Sequence, residues 1–118
     1  MINVLIADDD YANRILPTLI LDTEEYQLFE AENGKAVLKL LETQHIDFLL
    51  LDISLPEVSG IDVCKIIKVN PDLVHMKIIA YTAHSMEWEI EKILQAGFDQ
   101  ILIKPITKEQ LLRALRRN

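Results

Sequence analysis

The chain has 118 residues, of which 50% are apolar and 26% charged, a composition typical of one globular domain and not of a disordered or fibrous protein. Its net charge of −7 disfavours direct binding to nucleic acid, because the phosphates of that ligand are also negative. The single cysteine, Cys64, cannot form a disulfide within the chain. The sequence has neither a signal-peptide pattern nor an apolar run long enough to cross a bilayer. We therefore expect a cytoplasmic location and no contact with a membrane.

Short apolar runs alternate with helical patterns along the whole chain. Five runs predict strands, at Ile2–Ala7, Tyr26–Ala31, Ile46–Asp52, Met76–Tyr81 and Phe98–Ile103. Each run is followed by apolar residues at helical spacing. The apolar positions of the five predicted helices are Ile15, Leu16, Leu19 and Ile20; Val37, Leu40 and Leu41; Ile61, Cys64 and Ile67; Trp88, Ile90, Ile93 and Leu94; and Leu111, Leu112 and Leu115.

Capping residues indicate where several helices begin and end. Asn33 is placed to cap the second helix, and Thr107 with Gln110 has the spacing of a capping box before the last one. Gly97 is placed to end the fourth helix. Pro17 is compatible with the first helix only because it lies near the first turns. The predicted strands and helices follow one another closely along the chain, so the connections between them are short.

Strict alternation of strand and helix predicts an α/β fold with a parallel sheet covered by helices on both faces. With five strands, the expected result is a doubly wound (βα)5 flavodoxin-like fold of three layers, with strand order 2-1-3-4-5. We expect residues 1–118 to form a single domain. Another five-stranded order is compatible with the pattern, but an eight-fold barrel would need about twice the length.

Polar side chains follow the predicted strands. Asp8 and Asp9 follow the first strand, and Asp52 ends the third. Thr82 follows the fourth strand and Lys104 the fifth. Parallel strands all end at the same edge of a sheet, and in this strand order the crevice between the first and third strands is the usual ligand site. We therefore expect three carboxylates to meet there, with a hydroxyl and an ammonium beside them.

Three neighbouring carboxylates raise the pKa of one another unless a cation relieves the repulsion. Oxygen ligands alone, with few carboxylates, suit magnesium. A simpler interpretation is that the acids after the first strand stabilise the start of a helix, and for Asp10 alone we prefer it. For Lys104, the simpler interpretation is a surface lysine at a strand end.

The same positions resemble the receiver domains of two-component response regulators, which have a CheY-like fold. The resemblance covers essentially the whole chain. Its motifs are Asp8-Asp9, Asp52-Ile53-Ser54-Leu55-Pro56 with Gly60, Thr82-Ala83, and Lys104-Pro105. It implies that Asp52 accepts a phosphoryl group from a phosphohistidine on a sensor histidine kinase or a histidine phosphotransfer protein. It also implies that Asp9, Asp52 and the backbone carbonyl of Ser54 bind Mg²⁺, while Asp8 acts mostly through water.

The chemistry of phosphoryl transfer agrees with these implied roles. Catalysis of this reaction is mainly positioning and stabilisation of charge on the phosphoryl oxygens. Lys104 would supply positive charge and the Thr82 hydroxyl would donate to a phosphoryl oxygen. A cis bond between Lys104 and Pro105 would aim the ammonium inward. Such a domain promotes its own phosphorylation and slow dephosphorylation but is mainly a signalling switch, so whether to call it an enzyme stays open.

The sequence departs from the family at one position of consequence. Receivers usually carry an aromatic residue where this chain has Ile101, so the usual inward swing of that aromatic cannot occur. Two further positions, Ser54 and His84, lie where the family tunes the lifetime of the acyl phosphate. His45 and His75 lie at loop-like positions without companions, and we predict no zinc site there.

Surfaces for partner proteins are predicted at two places. The first would dock the helical bundle that bears the phosphohistidine, through Tyr11, Asn13, Arg14 and Pro105. The second is an output surface on the fourth helix, fifth strand and fifth helix for a downstream protein target, with Trp88 and Ile101. Packing of Trp88 in the core is an equally supported alternative.

Two other functions are compatible with the sequence. One is a degenerate receiver that keeps the fold and acts as an interaction module without phosphate, for which Ile101 is the one supporting feature. The other is a magnesium-dependent hydrolase with an aspartyl nucleophile. Such enzymes need a second acid two residues after the nucleophile, where this chain has Ser54, and usually an inserted cap domain for which the chain is too short.

Overall fold

A computed structural model describes residues 1–83 and 86–116, so His84 and its predicted tuning role lie outside the described residues. Within those ranges the strands are Ile2–Ala7 (β1), Tyr26–Ala31 (β2), Phe48–Leu51 (β3), Lys77–Thr82 (β4) and Gln100–Ile103 (β5). The α-helices are Tyr11–Ile20 (α1), Gly34–Thr43 (α2), Gly60–Lys68 (α3), Glu87–Ala96 (α4) and Lys108–Ala114 (α5). A short 3₁₀ helix, Pro71–Leu73, precedes β4.

The strands form one parallel sheet in the order β2-β1-β3-β4-β5, which confirms the predicted flavodoxin-like topology. Ala7 of β1 lies opposite Leu51 of β3, and Leu51 lies opposite Ala80 of β4. Because of this register, the residues that follow β1 and β3 emerge side by side from the same edge. We call it the carboxyl edge of the sheet.

Alternate residues of the central strands pack on opposite faces of the sheet, as the two-residue repeat of a strand requires. Val4 and Ile6 belong to the apolar cluster that includes residues of α1 and α5. Leu5 and Ala7 belong to the cluster that includes residues of α2, α3 and α4. Both faces are thus covered, giving the predicted three layers. No helix in the described part of the chain has the length and apolar character needed to cross a membrane.

Several predicted details were wrong. β3 begins at Phe48 and not at Ile46, and β5 begins at Gln100. Three leucines assigned to apolar stripes, Leu19, Leu94 and Leu112, are exposed. On these three helices the apolar stripe is wider than the contact of the helix with the sheet, so part of the stripe remains in solvent.

The capping predictions were confirmed. The Asn33 side chain accepts the Ala36 N–H, and Thr107 with Gln110 forms a reciprocal capping box. Gly97 ends α4 with φ 109°, a left-handed conformation that glycine adopts without strain. At the start of α1, the Asp10 carboxylate accepts the Asn13 N–H, which is the structural role we preferred for that acid.

Candidate functional site

Three carboxylates meet at the carboxyl edge, at the ends of β1 and β3. One oxygen from each of Asp8, Asp9 and Asp52 lies within 4.8 Å of the others. The backbone brings them together, because the Asp52 N–H donates to the Ala7 carbonyl at 2.9 Å and so extends the pairing of the two strands. Asp8 and Asp52 are buried and Asp9 is exposed, so the cluster opens to solvent on one side. The geometry therefore brings the three predicted acids together.

The Asp52 carboxylate is buried and accepts a hydrogen bond from the turn that follows it. Its residue is 5% exposed, and its Oδ1 accepts the Ser54 N–H at 3.2 Å. Burial raises the pKa of Asp52 above its ordinary value, and the neighbouring Asp8 carboxylate raises it further. Lys104 and the Ser54 N–H lower the pKa of Asp52 and offset part of that rise. An added cation would favour the ionised form more strongly.

Lys104 reaches this cluster from the end of β5. Its Nζ lies 2.6 Å from Asp8 Oδ2 and 3.7 Å from Asp52 Oδ1. Only 12% of its side chain is exposed, so the interpretation of Lys104 as a free surface lysine was wrong. The bond between Lys104 and Pro105 is cis, as predicted. One ammonium thus touches two of the three carboxylates.

The turn after β3 fits only because position 60 is glycine. The Gly60 N–H donates to the Ile53 carbonyl at 3.0 Å, which draws the start of α3 against the backbone after Asp52. A β-carbon at Gly60 would lie 2.2 Å from the Asp52 carbonyl oxygen and 2.8 Å from the Ile53 α-carbon. Gly60 therefore sets the path of the chain that carries Asp52 and Ser54.

The remaining predicted site residues lie at the same edge. Thr82 ends β4, is fully buried, and accepts the Lys104 N–H with its backbone carbonyl at 2.8 Å. Ser54 is exposed in the turn after Asp52. All the strand-end residues singled out in the sequence therefore converge.

The residues predicted to dock a phosphohistidine-bearing partner do not share one environment. Tyr11 and Pro105 are exposed beside the acidic cluster, and Asn13 is half-buried. Arg14 is buried: its Nη1 donates to the Asp8 carbonyl at 3.0 Å and its Nε pairs with Glu30 at 3.0 Å. The assignment of Arg14 to an open surface is therefore corrected, because its guanidinium holds the start of α1 against the sheet.

Trp88 is 63% exposed, so the alternative of core packing was wrong. It lines a cavity of about 210 Å³ together with Ser54, Ile53 and Ile61. The indole therefore faces the turn that follows Asp52, on the α3 side of α4. Ile101 is half-buried and packs against the apolar cluster on that face of the sheet.

The opposite edge of the sheet holds two histidines that were predicted to stand alone. His45 and His75 stack with ring centroids 4.4 Å apart and planes 8° from parallel. His45 Nε2 lies 3.2 Å from Asp47 Oδ1, and His75 Nε2 lies 3.2 Å from the Ile46 carbonyl oxygen. The prediction that they lack companions was wrong. Among the described residues, however, a group of three or more metal-binding side chains occurs only at the carboxyl edge.

Sequence reasoning missed Tyr81, the residue immediately before Thr82. It is fully buried, its hydroxyl donates to the Asn13 carbonyl at 3.0 Å, and Lys104 Nζ lies 4.7 Å from its ring centroid. Burial raises the pKa of Tyr81 to about 12, with further contributions from Asp8 and Asp52. The only signal in the sequence is a tyrosine that follows three apolar residues of the fourth strand.

A doubly wound parallel sheet with three acids and a lysine at its carboxyl edge is the arrangement of CheY-like receiver domains. Comparison with known families agrees. The family model described as the response regulator receiver domain matches residues 4–116, and the chain belongs to this family.

Individual relatives support the same assignment. The polar-differentiation response regulator DivK of Brucella ovis is 32% identical over 114 residues, covering 97% of this chain and 93% of DivK. The chemotaxis protein CheY4 of Vibrio cholerae has the same fold, with a TM-score of 0.89 at 23% identity, over 98% of this chain and 96% of CheY4. The receiver domain of sensor histidine kinase PA1611 from Pseudomonas aeruginosa, solved with magnesium in its active-site cleft, has a TM-score of 0.84 at 27% identity, over 94% of this chain and 91% of that domain.

Proposed function

We propose that the chain is a single receiver domain, residues 1–118, that accepts a phosphoryl group on Asp52 in cytoplasmic two-component or phosphorelay signalling. The donor is a phosphohistidine on a sensor histidine kinase or a histidine phosphotransfer protein. The observation that carries the proposal is the buried Asp52 carboxylate, held beside two further acids and within 3.7 Å of the Lys104 ammonium. Membership of the response regulator receiver family supports it.

The reaction follows from the side chains at the carboxyl edge. A carboxylate oxygen of Asp52 attacks phosphorus and forms an acyl phosphate, while the bond from phosphorus to the histidine nitrogen breaks and its electron pair stays on the imidazole. Negative charge is spread over the phosphoryl oxygens in the transition state. Lys104 is placed to stabilise that charge, and the Thr82 hydroxyl to donate to one phosphoryl oxygen.

The donor set fits a divalent magnesium ion. Its side-chain ligands are all carboxylate oxygens, which this hard cation prefers to nitrogen or sulfur. Asp9, Asp52 and the backbone carbonyl of Ser54 would hold the ion, and Asp8, already paired with Lys104, would act through water. When bound, the ion supplies positive charge to the phosphoryl oxygens. The magnesium site named for the PA1611 receiver domain supports this assignment.

The partner surfaces belong to the same proposal. Tyr11, Asn13 and Pro105 flank the acidic cluster and are assigned to the donor protein. The output surface on α4, β5 and α5 is assigned to a downstream protein target, through Ile101 on β5 and through Trp88 where α4 borders α3. Ile101 cannot act as the aromatic reporter usual in the family, so a rearrangement of the segment after Thr82, or relay of the phosphoryl group alone, would carry the output.

Intact-mass spectrometry after incubation with acetyl phosphate and MgCl₂ tests the proposal. We expect one phosphoryl adduct on the wild type, none on Asp52→Asn, and none after chelation of magnesium. Asp47→Asn is the matched control, because Asp47 is equally buried and precedes the same strand. It should form the adduct. An adduct on Asp52→Asn would overturn the assignment of the acceptor.

The same measurement separates the alternatives. Ile101 favours a degenerate receiver that acts as a phosphate-independent interaction module, and such a domain would form no adduct at any magnesium concentration. An aspartyl hydrolase would turn over phosphoesters repeatedly without accumulating the adduct.

A further inference from the structure

Tyr81 contacts the catalytic lysine through the face of its ring. The Lys104 Nζ lies 4.7 Å from the Tyr81 ring centroid, within the range of a cation–π interaction. The ring is fully buried, and only 12% of the lysine side chain is exposed. The attraction is therefore not screened by water as it would be on an open surface. Tyr81 forms one side of the site in which the ammonium sits.

This contact has a geometric consequence for the ammonium. Asp8 Oδ2 attracts the Lys104 Nζ to 2.6 Å, whereas Asp52 Oδ1 is 3.7 Å away. Without the ring, the flexible lysine side chain would be free to follow Asp8 alone or to turn to solvent. With the ring in place, the ammonium stays between the two carboxylates and within reach of an incoming phosphoryl group.

The Tyr81 hydroxyl connects the same ring to α1. It donates to the Asn13 carbonyl at 3.0 Å, and the Asn13 N–H is in turn bonded to Asp10 at the N-cap of α1. This bond holds the hydroxyl end of the Tyr81 ring against the first turn of α1. That turn also carries Tyr11, which is assigned to the donor protein. One side chain therefore links the lysine with the docking face.

We propose that Tyr81 is a positioning residue for phosphoryl transfer, whose ring holds the Lys104 ammonium toward Asp52 and whose hydroxyl ties that arrangement to α1. The inference rests on the proposed function, because it concerns the rate of phosphorylation of Asp52. It assigns separate tasks to the two parts of the side chain. The ring acts on the reaction, and the hydroxyl acts on the link to the donor-facing helix.

Three variants of Tyr81 separate these tasks. Tyr81→Leu and Tyr81→Met remove the ring, and Tyr81→Phe keeps it without the hydroxyl. With acetyl phosphate and saturating MgCl₂, we expect the leucine and methionine variants to lower the maximal rate about tenfold with little change in the half-saturating acetyl phosphate concentration. Tyr81→Phe should stay within about twofold of wild type with this small donor. With a phosphorylated histidine phosphotransfer domain as donor, Tyr81→Phe should be phosphorylated more slowly than the wild type.

Tyr26 provides the matched control. It is also a buried tyrosine of the same apolar cluster, but it begins β2, away from Lys104. Tyr26→Leu should lower thermal stability without lowering the rate of phosphorylation. Circular dichroism verifies that each variant is folded, and the methionine variant replaces the leucine variant if the latter is not.

A double-mutant cycle identifies the route by which Tyr81 acts. If it acts through the lysine, Tyr81→Met should have no further effect on the rate in a Lys104→Met background. Equal losses in both backgrounds, or equal rates for Tyr81→Met and Tyr26→Leu, would overturn the inference. Absence of any adduct on the wild type would instead overturn the proposed function.

Discussion

Strand β3 has a buried aspartate at each end, and the two carboxylates have opposite surroundings. Asp47 precedes the strand and Asp52 follows it, and each is 5% exposed. Asp47 Oδ2 accepts the Asn3 N–H at 2.8 Å, and its Oδ1 lies 3.2 Å from His45 Nε2. Asp52 lies beside two other acids as well as Lys104, and its pKa is raised.

The difference separates a structural acid from the proposed phosphoacceptor. Asp47 accepts the Asn3 N–H and so joins the start of β3 to β1. The charge of Asp52 is relieved only in part, by Lys104 and the Ser54 N–H. A buried charge that the protein itself leaves under-compensated is one that a bound cation or a chemical modification can relieve. Burial of an aspartate is therefore a weak guide to function, and the sign of its neighbours is a strong one.

The largest effect on stability is expected from loss of the lysine at the carboxyl edge. Lys104→Met leaves Asp8 and Asp52 without their counter-ion and should lower the free energy of unfolding by about 3–5 kcal/mol in the absence of metal. Mg²⁺ should restore part of this loss. Lys68→Met is the control, because its pair with Asp99 is partly exposed and worth about 0–1 kcal/mol. Urea denaturation measures both; equal losses would contradict the prediction.

Magnesium should stabilise the folded chain through the carboxyl edge alone. At a concentration a hundred times its dissociation constant, Mg²⁺ should raise the free energy of unfolding of the wild type by about 2.7 kcal/mol. Asp9→Asn removes an assigned ligand and should abolish most of that gain. Asp10→Asn, which alters only the N-cap of α1, should keep it. Thermal unfolding with and without EDTA measures the effect, and an unchanged gain in Asp9→Asn would exclude Asp9 as a ligand.

Removal of the structural acid should reduce stability without affecting the reaction. Asp47→Ala leaves the partly buried Asn3 N–H without its acceptor, at a cost of about 1–3 kcal/mol in the free energy of unfolding. Its rate of phosphorylation by acetyl phosphate should equal that of the wild type at a temperature where both are folded. A large loss of rate would show that the two ends of β3 are coupled.

Asp52 should have the opposite effect on stability, and the pH dependence of unfolding should reveal it. Because the pKa of Asp52 is raised in the folded state, its contribution to stability is present below the ordinary pKa of aspartate and is lost as pH rises through the folded pKa. Metal-free Asp52→Asn should therefore be more stable than the wild type at neutral pH. The difference should disappear in acid. Melting temperatures across this pH range measure it, with Asp72→Asn on the exposed 3₁₀ helix as the control.

The smallest effect is expected at the stacked histidines. His45→Ala removes an exposed partner of Asp47 and the ring that stacks on His75, and should cost about 0–1 kcal/mol. The Asn3 N–H still satisfies Asp47 in this variant. A loss as large as that of Asp47→Ala would mean that the histidine, and not the backbone N–H, is the principal partner of this acid.

The sequence by itself determined the fold and the position of the site. Strand and helix alternate five times with short connections, and a strand followed by a short crossover helix leaves few parallel arrangements open. Since every parallel strand ends at the same edge, the positions of Asp8, Asp52 and Lys104 followed from the strands alone. Local capping bonds, such as that of Asn33, were also predictable because they join residues close in the chain.

Only the tertiary structure decided which side chains meet across elements. The burial of Arg14, the exposure of Trp88 and the stacking of His45 on His75 all depend on how helices and loops from distant parts of the chain pack against one another. The contact of Tyr81 with Lys104 joins β4 to the residue that follows β5 in the same way. Hydrophobic periodicity specifies which face of an element is buried, but it does not specify the partner on that face. The distinction between Asp47 and Asp52 is of this kind, because it depends on neighbours that other segments supply.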